Sequence, residues 1–540
     1  MRTNKYLGLA ILLLLNSMNA QVLVKDIKTG GLGANISLLK IMNDRLFFSA
    51  NDGITGQEVW SSDGTAAGTT ILKDVNPIGD GLNNTFPTRF STVGSTLFFA
   101  GNDNVNGYEL WKTDGTTTGT ALVKDIKAGA SGGFSVTREM ISHNGFVYFS
   151  ADNGVTLDEL WKSDGTSSGT ELVKNIAVTG PSYVEKFTIS NNILFFTAND
   201  GNTGQELWRT DGSAAGTVLV KNIASSGGSL PNYLTDVNGT LFFSAYTAAN
   251  GIELWKSDGT NQGTLMVKDI NPGSASAFST SSFYNFNGTL YFSASDGSNG
   301  EELWKSDGTP EGTVMVKDIR SGISGGLDFS NIQSFVGFNG FLYFLANDGT
   351  TGAEIWKTDG TTTGTVLLKD IRIAKNWSSE PKELTVFNNS LYFIAYDGIN
   401  DNTLWKSDGT SSGTVLAFTK EPNVSKSLIV LGNQLYFRAT NTSNGEELWK
   451  FEGAALAIPQ VKKNSFFTIY PNPSSGIFQL VLDNSLRNAK LEIVNLLGET
   501  MYSIDNIQPK IDLSAFSKGI YLVKVVSETK EVSQQKIIIQ

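Results

Sequence analysis

Apolar and polar residues alternate along most of this chain in short runs, and turn residues cut the runs at regular intervals. In residues 234–270, LTDVNGTLFFSAYTAANGIELWKSDGTNQGTLMVKDI, the pair Asn238 and Gly239 separates YLTDV from TLFFSA, as Asn-Gly does between the arms of a two-residue β-hairpin. A loop around Asn250 and Gly251 leads to IELWKS, and DGTNQGT leads to LMVKDI. Four short strands joined by three local turns predict one antiparallel sheet. A helix would need an apolar period near 3.6, and glycines at this frequency would break it.

The unit recurs. Trp60, Trp111, Trp161, Trp208, Trp255, Trp304, Trp356, Trp405 and Trp449 occupy the third strand of successive units, 44 to 52 residues apart. That period suits one four-stranded propeller blade. The phase of the repeat carries further information. VLVKDI at residues 22–27 is a fourth strand whose first three are missing, and EELWKFEG at residues 446–453 is a third strand with no fourth. Each fragment supplies what the other lacks. The expected fold is therefore all-β, with nine four-stranded repeats forming a β-propeller in which the N-terminal strand closes the last blade and leaves no open sheet edge. Nine exceeds the usual four to eight blades, so an open superhelical stack or a ring with one irregular unit is the structural alternative.

Composition narrows the class. Among 540 residues, 57 are glycine and only 12 proline, and 40% are hydrophobic against 17% charged, which suits a folded protein rich in tight turns. The net charge is −11 and the 41 basic residues are scattered singly, so a nucleic-acid partner is not expected. The start, MRTNKYLGLAILLLLNSMNA, places Arg2 and Lys5 before an apolar run from Leu7 to Leu15 and ends in small and polar residues. Residues 1–20 read as a cleaved secretory signal, with the mature chain beginning near Gln21 and holding no membrane span. Cysteine is absent, which rules out disulfides, thiolate nucleophiles and cysteine-held metal sites.

The repeated residues suit a scaffold. Alternation puts Glu159, Trp161 and Ser163 on one face of a third strand and Leu160 and Lys162 on the other, so the tryptophan is expected to pack between blades. SDGT is turn chemistry: aspartate bonds amides two residues on, and glycine accepts positive φ. Calcium is the one cofactor left open, because Asp and Gly also build its loops. It needs six to eight oxygens, whereas SDGT usually offers one carboxylate, and loops such as NDGITGQE offer Asp52 and Glu58.

Residues that break the repeat are the place to look for chemistry. The single histidine, His143, precedes a hairpin turn where another unit has Phe286, and reads as a packed turn residue. Glu139, Glu185, Asp328 and Glu380 are carboxylates outside the pattern that could supply a pair for glycoside cleavage, and the sequence selects no pair among them. No catalytic residue is assigned. Fourth-to-first connections and second-to-third loops fall on one side of the sheets, opposite the Asn-Gly hairpins and SDGT turns. The variable segments NPIGDGLNNTFPTR, AVTGPSYVEK, NPGSASAFSTSS and RIAKNWSSEPKE all lie on the first side, the expected ligand face. Trp377, the one tryptophan outside the motif, lies in the last of these and is the ligand-binding candidate; a loop-stabilising role is its alternative.

The run LFFTANDGNTGQELWRTDGSAAGTVLV at residues 194–220 resembles one blade of quinoprotein-type propellers. Those place a tryptophan in the last strand, where this chain has LVKDI, so the resemblance implies no cofactor. Residues 21–453 more closely resemble the bacterial family named for its ELWxxDGTxxGT repeat, which implies an exported repeat protein with no defined reaction.

After residue 453 the period stops. AALAIPQVKKN, residues 454–464, reads as a linker, and residues 465–540 form a new set of alternating strands that predicts a small Ig-like β-sandwich. Tyr470, Pro471, Asn472, Pro473, Ser474, Gly476 and Phe478 in YPNPSSGIF, the strand LEIVNLLGE, then Gly519, Tyr521 and Lys524 in GIYLVKV, and QKIII with Lys536 resemble the C-terminal sorting domain of the type IX secretion system of Bacteroidota. The resemblance implies the type IX machinery as partner and a product released outside the cell or held on its surface, reached through the periplasm. The function expected is an exported binding or adhesion module for a glycan or a surface protein. The alternatives are a polysaccharide-active enzyme using paired carboxylates of the variable loops, and a spacer with no specific ligand.

Overall fold

A computed structural model describes residues 21–82, 90–134, 139–279, 281–327, 335–373, 376–418, 422–452, 467–482, 489–495, 500–505, 507–526 and 532–540. The signal segment, the linker and Asp328 lie outside these residues. The described residues are all-β and contain no helix, and the chain divides into two compact units, Met1–Gly453 and Ala454–Gln540.

In the first unit the strands Ser37–Met42, Arg45–Asn51, Gln57–Ser62 and Thr70–Lys73 pair antiparallel in chain order. The described residues hold nine such four-stranded sheets in this unit. In the ninth, Asn423–Leu431, Gln434–Asn441 and Gly445–Glu452 take their fourth strand, Gln21–Lys25, from the other end of the unit, with Leu23 opposite Trp449. Tight turns follow from local chemistry. Asn238 and Gly239 both have positive φ, 52° and 82°, as the hairpin that matches strand twist requires. Asn191–Asn192, Asn388–Asn389 and Asn43–Asp44 do the same without glycine, because short polar side chains tolerate the left-handed region.

Both faces of each sheet are covered. Phe98 and Leu110 of the second sheet pack on Phe149 and Trp161 of the third. Val24, Tyr436 and Leu448 of the ninth pack on Leu46, Phe48 and Trp60 of the first, so the sequence of sheets returns to its start. First strands of most neighbouring sheets touch, those of the ninth and first included, which puts the first strand innermost. Five of these inner strands bulge against the second strand, four by one residue and that of the ninth sheet by two, with Leu38, Lys186, Tyr233, Glu383 and Ser427 at positive φ. The left-handed region costs a non-glycine residue about 1–2 kcal/mol. The bulge turns side chains toward the next sheet: Lys186 Nζ donates to the Pro231 carbonyl at 3.2 Å, and the Ser281 amide donates to Tyr233 Oη at 3.1 Å.

The second unit has a three-stranded sheet, Phe467–Tyr470, Ile477–Leu482 and Lys510–Asp512, and a four-stranded one built on Lys490–Val494, Thr500–Ile504, Gly519–Val526 and Val532–Ile539. Both feed one core, including Ile469, Phe478, Leu491, Ile511, Tyr521, Val523 and Ile537.

Candidate functional site

Each residue of the repeated motif has an internal task. In SDGTSSGT the Gly165 amide donates to Ser163 Oγ, and Ser163 Oγ lies 2.7 Å from Thr170 Oγ1. The Thr166 amide and hydroxyl both donate to Asp164 Oδ1, holding that carboxyl below its ordinary range, and the Gly169 amide donates back to Thr166 Oγ1. Gly165 has φ 90° and lies on the ring of Phe98 from the preceding sheet, while a Cβ on Gly169 would stand 2.2 Å from the Asp164 carboxylate. Trp161 is buried between the second and third sheets. From the second sheet, Lys124 Nζ stands 5.9 Å from its ring centroid and Lys112 Nζ donates to the Gly165 carbonyl at 2.7 Å. All nine motif indole N–H groups are buried without a partner among the described residues.

The glutamate two residues before the tryptophan carries a role that alternation alone did not disclose. Glu58, Glu109, Glu159, Glu206, Glu253, Glu302, Glu354 and Glu447 are fully buried. Glu109 accepts the amides of Ile126, Lys127 and Gly133 at 3.1, 3.1 and 2.7 Å, pinning the connection that leads to the next sheet. Burial pushes Glu58 and Glu253 up to about 8, and Glu109, Glu302, Glu354 and Glu447 to about 7. The signal was present: a glutamate recurs on the same face of the strand as the buried tryptophan. In the eighth sheet Thr403 takes the place.

These bonds separate the two carboxylates of the NDGITGQE loop. Glu58 turns away from Asp52 and into the amides of Val75, Asn76 and Gly81, while Asp52 spends its Oδ1 on the Ile54 and Thr55 amides of its own loop. Among the described residues no group of three or more acidic or histidine side chains could hold a metal ion. His143 is buried at the end of an inner strand, 3.0 Å from the Asn144 amide nitrogen, and burial pulls its imidazole below the ordinary value. The carboxylate candidates fall on different sheets. Glu139 lines a cavity of about 280 Å³ with Lys40, Met140 and Phe187, Glu185 lies 3.4 Å from Lys186, and the Glu380 amide donates to Ser378 Oγ.

The fourth-to-first connections and second-to-third loops meet on one side, as Gly107 against Gly132 and Gly204 against Gly228 show. Here the sheets stop agreeing. Leu32, Ile54, Ile78, Val105, Val155, Val178, Ile323, Ile373 and Ile399 all expose most of their surface on this side, Ile399 reaching 90%. A cavity of about 500 Å³ opens among Ser279, Ser295, Glu301, Arg320 and Asn347, where Glu301 accepts from the hydroxyls of Ser279 and Ser293. Trp377 is 55% exposed on the same side. Arg372 lies between it and Tyr396, its guanidinium carbon 4.4 and 4.5 Å from the two ring centroids.

In the second unit the YPNPS run is tied to the final strand. Asn472 Nδ2 donates to the Lys536 carbonyl at 2.6 Å, the Ile538 amide donates to Asn472 Oδ1 at 2.9 Å, and Ser474 exchanges backbone bonds with Ile538 and Gln540. Tyr470 is exposed, with Pro471 and Pro473 following cis peptide bonds. Gly476, at φ 105°, lies against the Ser514 backbone. Tyr521 is buried and donates to the Ser517 carbonyl, two residues before Gly519. Lys524 and Lys536 face Glu492 and Leu522 in register.

Comparison with known proteins adds two regional matches. Residues 468–540 match a family described as secretion system C-terminal sorting domain, and residues 286–456 match one described as outer membrane protein assembly factor BamB. Beta-agarase D of Zobellia galactanivorans is 31% identical over 81 residues, 15% of this chain and 16% of that protein, so the chain spans about a sixth of that relative. Among solved structures, a puromycin hydrolase has 13% identity with 66% of this chain and 58% of its own covered, at a TM-score of 0.35. PorZ, a surface component of the type-IX secretion system of Porphyromonas gingivalis, has 14% identity with 94% and 84% covered, at 0.23. None of the described residues forms a helix long and apolar enough to cross a membrane. The all-β repeat unit is propeller-like, and the sorting-domain match marks a type IX secreted protein, released or attached to the cell surface.

Proposed function

We propose that residues 21–453 are a closed nine-bladed propeller of the ELWxxDGT repeat family that acts outside the cell as a binding or adhesion module for a glycan or a surface protein. Residues 1–20 are its secretory signal, residues 454–464 its linker and residues 465–540 its Ig-like sorting domain. One observation carries the reading: the repeated residues are spent on internal bonds, while the opposite side varies from sheet to sheet and exposes aliphatic tips and Trp377. Regular units with one divergent, apolar-tipped face are suited to contact rather than to chemistry.

The test is binding of the purified protein to a glycan array and to outer-membrane proteins of the producing cell. Capture that is lost when residues 372–383 are exchanged for the matching segment of another repeat supports the module. Silence on both surfaces overturns it. Agar polysaccharides are among the ligands to try, in view of the 81-residue similarity to beta-agarase D.

A further inference from the structure

We propose that Trp377 is a stacking platform for the pyranose ring of a neutral polysaccharide, held in position by Arg372 and Tyr396. The inference rests on the loop-face reading above and names a ligand class for it.

The platform is built before any ligand arrives. The Arg372 guanidinium is bracketed by two rings, 4.4 Å from Trp377 and 4.5 Å from Tyr396, and its Nη1 donates to the Ser378 carbonyl at 3.2 Å. Arginine suits this position because its group is planar and always charged; lysine would supply a point charge without a face. The backbone around the indole is equally constrained. Ser378 Oγ donates to the Ala353 carbonyl at 2.9 Å, and the Ser379 amide and hydroxyl both donate to buried Glu354. Gly352, at φ 79°, allows its loop to lie directly on the Trp377 backbone, where a Cβ would stand 2.5 Å from the Trp377 carbonyl carbon. The guanidinium stands against the indole and 55% of the residue is exposed, which leaves ring surface open to solvent.

A rigid, exposed indole face binds flat apolar surface at little ordering cost. The C–H face of a pyranose is such a surface, and its hydroxyl rim stays in water. Charge selects the neutral members of the class. The chain as a whole carries −11, which disfavours sulfated or uronic polymers. Exposed Ile399 follows Gly398, where an added Cβ would stand 3.7 Å from the Arg372 side chain.

The experiment is affinity electrophoresis and calorimetry of the full chain with agarose oligomers, a β-1,3-glucan and a xylan as neutral probes, and alginate as the anionic one. The expected result is binding of at least one neutral probe, weakened about tenfold or more by Trp377→Ala, less by Trp377→Phe, and to an intermediate degree by Arg372→Lys, with melting temperature held within about 2 °C. Neutral-probe binding that survives Trp377→Ala overturns the platform and leaves the loop-face reading standing. Binding of alginate alone, or of a surface protein alone, overturns the ligand class. No binding to any glycan or surface protein overturns both readings.

Discussion

Lys25 Nζ donates to the carbonyl of Thr69 at 2.7 Å and stands 5.8 Å from the ring centroid of Trp60. Lys25 belongs to the strand that completes the ninth sheet and Thr69 to the first sheet, so this bond ties the two ends of the repeat unit. The same clasp recurs between other neighbours, from Lys124 to Thr170 and from Lys369 to Thr414.

Removal of residues 21–27 should therefore weaken the whole repeat unit. It uncovers the edge of Gly445–Glu452 and removes Val24 and Ile27 from a shared core, leaving an open strand edge of the kind that aggregates. The deletion should lower and broaden the calorimetric transition and produce higher oligomers on size exclusion. Lys25→Met, which keeps the stem, should cost about 1 kcal/mol. An unchanged, sharp transition in the deletion would show that the strand contributes nothing to closure.

The motif predicts a steep contrast within a few residues. Trp161→Ala should cost about 3–5 kcal/mol as a large buried side chain. Gly165→Ala should cost at least about 1–2 kcal/mol, because φ is positive and the new Cβ meets the Phe98 ring at 3.2 Å. Ser167→Ala, exposed in the same turn, should change nothing measurable. Urea unfolding of the three variants checks the order.

The buried glutamates give stability a definite dependence on pH. Their folded values, about 7 to 8 where burial is strongest, lie above the ordinary 4.5, so the folded state keeps protons that the unfolded chain releases. Stability from these groups is full below about 4.5 and declines as pH rises toward 8. Turn aspartates such as Asp63 and Asp164 act in the opposite sense: their lowered values stabilise above the ordinary 3.8 and are lost on acidification below it. Melting temperature should therefore peak in mild acid and fall between pH 5 and 8, and Glu253→Gln should flatten that fall. A melting temperature that rises from pH 5 to 8 would contradict the burial argument.

In the second unit, Asn472 joins the YPNPS turn to the last strand through two bonds. Asn472→Ala should loosen that strand by about 1–3 kcal/mol and reduce the protein recovered outside the cell relative to that retained in the periplasm, read by fractionation and immunoblot. Exchange of exposed Tyr470 for Phe keeps the fold and should leave thermal stability unchanged. Equal export of wild type and Asn472→Ala would separate the turn from the sorting function.

Much of the architecture was legible because it is local. Strand alternation in LFFSA, the Asn-Gly hairpins and the Asp-Gly turns each depend on a handful of consecutive residues, and the repeat multiplied every signal. The partners of the glutamates were not legible. Glu109 meets Ile126 and Gly133, 17 and 24 positions away, and only folding of the connection between sheets brings those amides to its carboxylate. The inner-strand bulges were equally silent, since Leu38, Lys186 and Glu383 share a conformation without sharing a side chain.

Trp377 shows the division most plainly. Its departure from the repeat and its place in a variable connection were readable by inspection, because they are properties of order along the chain. Its bracketing with Arg372 and Tyr396 was not, because Tyr396 lies beyond two intervening strands and reaches the guanidinium only when the eighth sheet folds back on its own connection. Sequence alone determined the strands, the turns, the period and the export address, all set by neighbours or by short motifs. Tertiary structure decided which carboxylates are buried, which lysines clasp the next sheet and which aromatic face is held open, because those depend on contacts between residues that the chain keeps far apart.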